Sequence, residues 1–398
     1  MVEVVTFGCR LNTVESEAIR GLASGVDAVV FNTCAVTGSA EREARAAIAR
    51  VHRERPEVAI VVTGCAAQID PARWAGLPGV SRVLGNLEKL SGEAWRGTGS
   101  AVGNIWLARG HRAVEVSGIE GRARAFVDVQ QGCDHSCTFC IIPQGRGPNR
   151  SVPLAGVVGQ VQRLVEGGVQ EVVLTGVDLA SWEGGLGVLV RGVLRGVPGL
   201  SRLRLSSVDP ARLDEGFWGV FGAEERLMPH LHLSVQAGSD LVLKRMRRRH
   251  SRAGALGVVA RARRERPGVG IGADLIAGFP TETEGMFLET LGFVEEAEAP
   301  YLHVFPYSAR PGTPAARMPQ VDGAVRRERA GRLRAAGLAV AWRFHAGMVG
   351  ADVAVVVERG ARGHTEVFAP VRLREGAAVG SLIRRLVIAA DAAGVEVA

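Results

Sequence analysis

Residues 125–140 read AFVDVQQGCDHSCTFC: an apolar, strand-length run that breaks at Gly132 into a loop carrying Cys133, Cys137 and Cys140. The spacing is C-x3-C-x2-C, placed directly after a strand. A structural zinc site takes four protein ligands, and this loop offers three thiolates plus His135, whose place beside Ser136 makes the geometry tight. Three thiolates on a [4Fe–4S] cube instead leave one iron open, free to be chelated by adjacent amino and carboxylate groups. Sulfur ligands favour iron–sulfur or zinc over oxygen-seeking ions.

Outward from this loop, strand-like runs recur to about Ser308: AFVDVQQG, EVVLTGVD, RLRLSSVD, HLHLSVQ, IGADLIAGF and YLHVFPYS. Helical patterns separate them, among them Val157–Glu166 and Arg252–Glu265. Six βα repeats predict a partial (β/α)6 barrel of TIM type, whose reactive groups belong at the strands' carboxyl ends. Gly176, Asp178, Ser206, Ser207, Gln236 and Asp274 fall there, a polar ring that core packing does not explain.

Towards the N-terminus, VEVVTF, DAVVFN and AIVVTG read as buried parallel strands. Helices are predicted between them over Glu15–Ala23 and Ser39–Arg53, the second with Ser39 as its cap. The alternation implies an α/β unit with a doubly wound parallel sheet. Cys9, Cys34 and Cys65 each sit just past the carboxyl end of one strand, the edge where such sheets bind ligands. Three residues far apart in sequence therefore converge on one rim.

The 398 residues suffice for two or three domains with their own cores. We place them at 1–95, 122–345 and 346–398, with residues 88–122 as a weakly structured linker. After a long Arg-rich helix over Val325–His345, the runs ADVAVVVE, TEVFAPVRL, SLIRRLVIAA and GVEVA predict a small C-terminal β-barrel. No apolar run approaches the roughly 20 residues that span a bilayer, and MVEVVTFGCR lacks the pattern of a secretory leader. The expected compartment is cytoplasmic, with no membrane partner. There, two groups of three cysteines suit metal better than disulfides, which would strand one thiol in each group. A net charge of +7 points to an anionic partner such as nucleic acid, although Lys89 and Lys244 are the only lysines and the chain simply prefers arginine.

A C-x3-C-x2-C loop opening a partial βα barrel resembles the radical S-adenosylmethionine (SAM) superfamily. Seven segments together resemble its methylthiotransferase family: TFGCRLNTVESE, FNTCAVT, VVTGCAAQ, GCDHSCTFCIIPQGRGPNRS, LRLSSVDP, HLHLSVQAGSDLVLKRMRR and ADLIAGFPTETE. The likeness runs from residue 3 to about 314. It implies two [4Fe–4S] clusters, one on Cys133, Cys137 and Cys140 that binds SAM, and an auxiliary one on Cys9, Cys34 and Cys65. The open irons are expected to face each other across a domain interface. Phe139, Gly176, Asp178, Ser207, Gln236 and Asp274 would contact SAM, the last within the 273–280 segment. Arg146 and Arg150 would meet the substrate's phosphate or modified base. No general acid or base is nominated, and the nine histidines read as packing or surface residues.

The family implies one SAM as methyl donor and a second cleaved to a 5′-deoxyadenosyl radical, with an electron donor such as flavodoxin or ferredoxin. Its branches modify threonylcarbamoyl-adenosine 37 or isopentenyl-adenosine 37 of tRNA, or an aspartate of a ribosomal protein. Cys34-Ala-Val-Thr and LHVFPYSARPGTPA resemble the threonylcarbamoyl branch. The anticodon loop of tRNA is thus the expected partner, and the chain is expected to be a monomer. The C-terminal barrel resembles the TRAM RNA-binding domain, with Phe368 as its stacking candidate. Arg384 and Arg385, with Arg326, Arg327, Arg329, Arg332 and Arg334, would grip phosphate. A reading of another class, an iron–sulfur RNA-binding protein without catalysis, is disfavoured because structural clusters usually take four protein ligands.

Overall fold

The computed structural model describes residues 2–111, 113–114 and 123–398. Strands β1 (Glu3–Thr6), β2 (Ala28–Thr33), β3 (Ala59–Gly64) and β4 (Val80–Val83) form a parallel sheet in that order. Alternate residues of each strand face opposite sides. Val29, Phe31, Ile60 and Val62 pack on Ala44 and Ile48 of helix Gly38–Glu54. Val30 and Val61 pack on Ile19 of helix Arg10–Leu22. Both faces are buried, which is why the strands read as unbroken apolar runs. The cap of the second helix is Thr37, whose hydroxyl accepts from the Ala40 amide at 3.3 Å, and not Ser39. β4, four residues with Ser81 and Arg82 at its centre, carries too little pattern to be seen in sequence.

The stretch after β4 is more than a linker. Lys89 and Trp95 are buried, and the Trp95 indole donates to the Lys89 carbonyl at 2.9 Å. Residues 115–122, where that stretch meets the expected barrel boundary, lie outside the described residues.

All six barrel strands form: β5 (Arg124–Gln131), β7 (Glu171–Gly176), β8 (Arg202–Leu205), β9 (His230–Gln236), β10 (Gly270–Ala277) and β11 (Tyr301–Pro306). β6 (Arg150–Ser151) adds a short antiparallel edge on β5. Isolated parallel bridges, Leu203 to Leu227 and Val208 to Leu233, link the β8 and β9 halves. The outward residues, such as Val127, Leu174, Leu203, Leu233 and Leu275, form the large core under the helices. The inward ones are polar to an unusual degree. Register places Phe126 beside Val173 and Arg204 on one side of the lumen, and His232 beside Gly272, with Asp274 beside His303, on the other.

The C-terminal unit is a closed barrel of β12 (Asp352–Glu358), β13 (Arg362–His364), β14 (Pro370–Leu373), β15 (Leu382–Asp391) and β16 (Gly394–Val397). Of TEVFAPVRL only Pro370–Leu373 is strand; Thr365–Ala369 is a turn that leaves the barrel. That turn closes the amino-terminal end of the larger barrel. Arg204 donates to the carbonyls of Thr365 (2.6 Å) and Glu366 (2.8 Å), and Arg202 to that of Ala354 (2.6 Å). Phe368, at a left-handed φ of 70°, stacks on His230 (4.7 Å) and His364 (4.6 Å) with Arg124 and Arg204 beside it. It is an interdomain plug, and the expectation of an RNA-stacking ring at this position is corrected. Several of the arginines expected to hold phosphate are also spent on the protein. Arg329 is buried on Glu282, Arg332 pairs with Glu284, Arg326 and Arg334 bind carbonyls, and Arg384 pairs with Asp352.

Docking of this unit should depend on pH. Burial raises the Glu358 carboxyl, but His364 and Arg124, the latter at 2.8 Å, outweigh it and hold it at about 2. A depressed carboxylate contributes stability that is complete above its unfolded value near 4.5 and lost as pH falls towards about 2. Protease accessibility of residues 346–398 should therefore rise across that window. Glu358→Gln should raise it already at neutral pH and flatten its dependence between those limits.

Candidate functional site

The carboxyl ends of β1, β2 and β3 face the carboxyl ends of the larger barrel's strands, and all six cysteines lie between. Gly8, at φ 103°, lets the Cys9 loop lie against Cys34: a side chain there would come within 2.6 Å of the Cys34 Cβ. Cys65 opens the short helix Cys65–Ile69, against which packs helix Ile142–Arg146, the segment that follows Cys140. A Cβ on Gly145 would lie 3.1 Å from that of Cys65. The two cysteine groups are thus joined by direct packing. Gly132, at φ 72°, performs the same service for the barrel loop, since a Cβ there would meet the Pro148 carbonyl at 1.8 Å.

A cavity of about 250 Å³ spans the interface. Val36 and Thr37, just after Cys34, line one side; Phe139 and Cys140 line another; Gln236, Asp274 and Ile276 form part of the barrel wall. Gln236 sits at φ 74°, a left-handed conformation that costs a non-glycine residue on the order of 1 kcal/mol or more and is common at functional sites. Burial raises the Asp274 carboxyl, yet hydrogen bonds from His232 (2.9 Å) and His303 (3.1 Å) hold it far below the usual carboxylate range.

Beside the auxiliary cysteines lies a buried polar network. Arg146 donates from Nε to the Cys65 sulfur at 3.0 Å, from Nη2 to Asn12 (2.8 Å) and Glu15 (3.0 Å), and from Nη1 to Gln131 (2.8 Å) and Glu15. Lys89 reaches the other side of Glu15 at 2.7 Å. Arg146 is 2% exposed, so the expectation that it touches substrate gives way to this interdomain role. Arg150, also buried, donates to the Pro148 carbonyl at 3.0 Å, shaping the loop after the cysteines.

Other expected residues fall as follows. Phe139 lines the cavity and meets Phe279 edge-on at 6.5 Å. Gly176 leaves room for Gln130, whose side-chain oxygen accepts from the Asp178 amide at 2.7 Å. Asp178 pairs with His135 at 2.8 Å, so that histidine positions the loop. Ser207 is half-buried just past β8, and the adjacent Ser206 hydroxyl is buried without a hydrogen-bond partner among the described residues. Sequence reasoning did not single out Arg10, Asn12, Glu15, Lys89 or Gln131. One signal was available: Asn12, Glu15 and Ser16 share the buried face of an amphipathic helix with Ile19. Nor are all the histidines bland, since His232 and His303 hold Asp274 inside the lumen.

The donor set fits iron–sulfur clusters. Among the described residues, the groups whose ligand atoms converge within 4.8 Å are Cys133–His135–Asp178 and His232–Asp274–His303; neither cysteine trio closes so tightly. A single zinc ion with bonds near 2.3 Å requires closer sulfurs, whereas a cube with a metal at each corner accepts wider ones. The sulfurs also receive donors, as cluster thiolates do: Arg146 and Asn86 at Cys65, the Val36 amide at Cys34, the His135 amide at Cys133 and Arg248 at Cys137. Burial pushes the Cys34 and Cys133 thiols up to about 12 and Cys140 to about 11, so metal must displace their protons.

The Radical SAM superfamily matches residues 127–294, and Uncharacterized protein family UPF0004 matches residues 1–85. The chain is 46% identical to the threonylcarbamoyladenosine tRNA methylthiotransferase MtaB of Rickettsia prowazekii, covering 99% of this chain and 95% of that one. It is 38% identical to the protein of the same name from Bacillus subtilis, over 82% of this chain and 78% of that one. The radical SAM methyltransferase TsrM of Kitasatospora setae shares the fold, with a TM-score of 0.55 at 16% identity, over 75% of this chain and 66% of that one.

Proposed function

The chain belongs to the methylthiotransferase family of radical SAM enzymes, and on that premise we propose that it converts N6-threonylcarbamoyladenosine at position 37 of tRNA to its 2-methylthio derivative. It is an enzyme that uses SAM and [4Fe–4S] clusters to transfer a sulfur-containing group. The observation that carries the reading is the cavity joining the Cys34 loop to the Cys140 loop, because the methylthio source and the radical source must reach one carbon. The branch follows the name shared by relatives that match this chain at 46% and 38% identity.

When bound, the clusters and SAM supply the methyl group, the sulfur and the hydrogen-abstracting radical; the protein supplies position and exclusion of water. Cys133, Cys137 and Cys140 would hold the SAM-binding cluster, and Cys9, Cys34 and Cys65 the auxiliary one. Phe139, Gly176, Asp178, Ser207, Gln236 and Asp274 would frame SAM above the strand ends. Arg146 would fix the auxiliary cluster against the barrel by spending its five N–H groups on both domains. A small reduced flavoprotein or ferredoxin would supply electrons to a monomeric, cytoplasmic enzyme. Among the described residues, no helix is long and apolar enough to cross a membrane.

Nucleoside mass profiles of tRNA from cells lacking the gene test this. The 2-methylthio-threonylcarbamoyl nucleoside should vanish while its unthiolated precursor accumulates. An unchanged pair of those nucleosides would reject the branch; loss of the isopentenyl product would assign its sister reaction.

A further inference from the structure

Among the described residues, one cation in the barrel lumen has no acid of its own. Arg204 is bound by Glu171 (2.8 Å) and two carbonyls; Arg124 by Glu358 (2.8 Å); Asp274 is shared by His232 and His303. Arg10 is different. It follows auxiliary Cys9 directly, and its guanidinium lies over the Phe126 ring, 5.8 Å from the centroid, on the inward face of β5. It makes no hydrogen bond or ion pair among the described residues. Its charged neighbours are Arg124, Asp274, Cys9 and Arg204, two of them cations and one an acid already held by two histidines. A half-buried guanidinium among cations, with no acid of its own among the described residues, is costly unless an anion completes it.

We propose that Arg10 binds the carboxylate of the threonylcarbamoyl group on the substrate base. The proposal rests on the branch assigned above. C2 of the adenine must reach the cysteine interface, and the N6 substituent leaves the ring on the far side of the intervening nitrogen. Arg10 starts beside Cys9 and reaches away from it, into the lumen. Its planar fork suits a carboxylate, and Phe126 stiffens it. An isopentenyl group, lacking any charge, would leave the guanidinium unpaired, so the same residue would discriminate against it. A backbone phosphate of the anticodon loop offers similar chemistry, and the test separates the two.

Three anticodon stem-loops would be titrated against the cluster-loaded enzyme: one with threonylcarbamoyl-adenosine at position 37, one with its methyl ester, and one with plain adenosine. The parent protein should bind the free acid about tenfold to a hundredfold more tightly than the ester. Arg10→Gln should erase that difference and leave affinity for the plain stem-loop within about twofold of the parent's, with iron content and visible spectrum unchanged. Arg10→Lys should retain part of the preference. Equal weakening of all three RNAs would overturn the proposal in favour of a phosphate contact, as would an undiminished acid preference in Arg10→Gln. If Arg10→Gln cannot be loaded with iron, the parent's response to the ester decides alone: equal affinity for acid and ester sinks the proposal. Failure of the branch reads differently, as a parent enzyme that does not methylthiolate the threonylcarbamoyl stem-loop at all.

Discussion

Cys65→Ala should yield a chain that still cleaves SAM to 5′-deoxyadenosine under reduction but no longer methylthiolates tRNA, whereas Cys137→Ala should lose both activities. The separation follows from where the sulfurs stand. Cys65 begins a helix of the N-terminal sheet unit and is met by Arg146 at 3.0 Å; Cys137 lies in the barrel loop, met by Arg248 at 3.6 Å. Each trio supplies three sulfurs, so removing one would leave two thiolates to hold a cluster. The methylthio product should fall by more than about a hundredfold in either variant, beyond the roughly 10–100-fold that loss of an outer-shell partner costs. Iron per chain should drop by about half in each, because the other trio remains. Methylthiolation retained in Cys65→Ala would remove the sheet-edge trio from the chemistry. Loss of 5′-deoxyadenosine in that variant would mean that one unit cannot be loaded without the other.

What could be read from sequence and what could not divide along a physical line. Strand-length apolar runs ending at Cys9, Cys34, Cys65 and Cys133 revealed both units, because burial on the outer face forces Val, Leu and Ile at alternate or successive positions. Helix Arg252–Glu265 was legible to its ends because Ser251 caps it and Pro267 follows. The plug was not. Phe368 sits in a turn whose Thr365 and Glu366 carbonyls are bound by Arg204, a residue over 150 positions earlier, and no local pattern encodes such a pairing. The same is true of Arg146. In sequence it stands in a basic loop and resembles a phosphate ligand; in space, Glu15, 131 residues away, takes its charge. Long-range contacts, ring stacking at Phe368 and an ion pair at Arg146, are invisible to periodicity, and they are what reassigned both residues.

The second large effect concerns that pairing. Glu15→Gln should destabilise the N-terminal unit and its contact with the barrel by about 3–5 kcal/mol, the range for breaking a buried ion pair by removing one partner. Glu15 is 1% exposed and faces two cations, Arg146 and Lys89, neither of which has another acid at bonding distance among the described residues. Glutamine fills the space but leaves both charges in the interior. The thermal midpoint should fall by about 10 °C. Burial raises the Glu15 carboxyl, yet Arg146 and Lys89 hold it below the usual carboxylate range. The stabilisation is therefore present above its unfolded value of 4.5 and is lost as pH falls below it, so the difference between parent and variant should shrink in acid. Lys89→Met alone should cost less, since Arg146 continues to bind both carboxylate oxygens. The double variant Glu15→Gln, Lys89→Met should be less destabilised than the two single effects added, because it buries one orphaned cation where Glu15→Gln buries two. Strict additivity would show that Glu15 does not act through the Lys89 charge. Iron retention should follow the same order, because Arg146 that has lost Glu15 is free to swing away from the Cys65 sulfur.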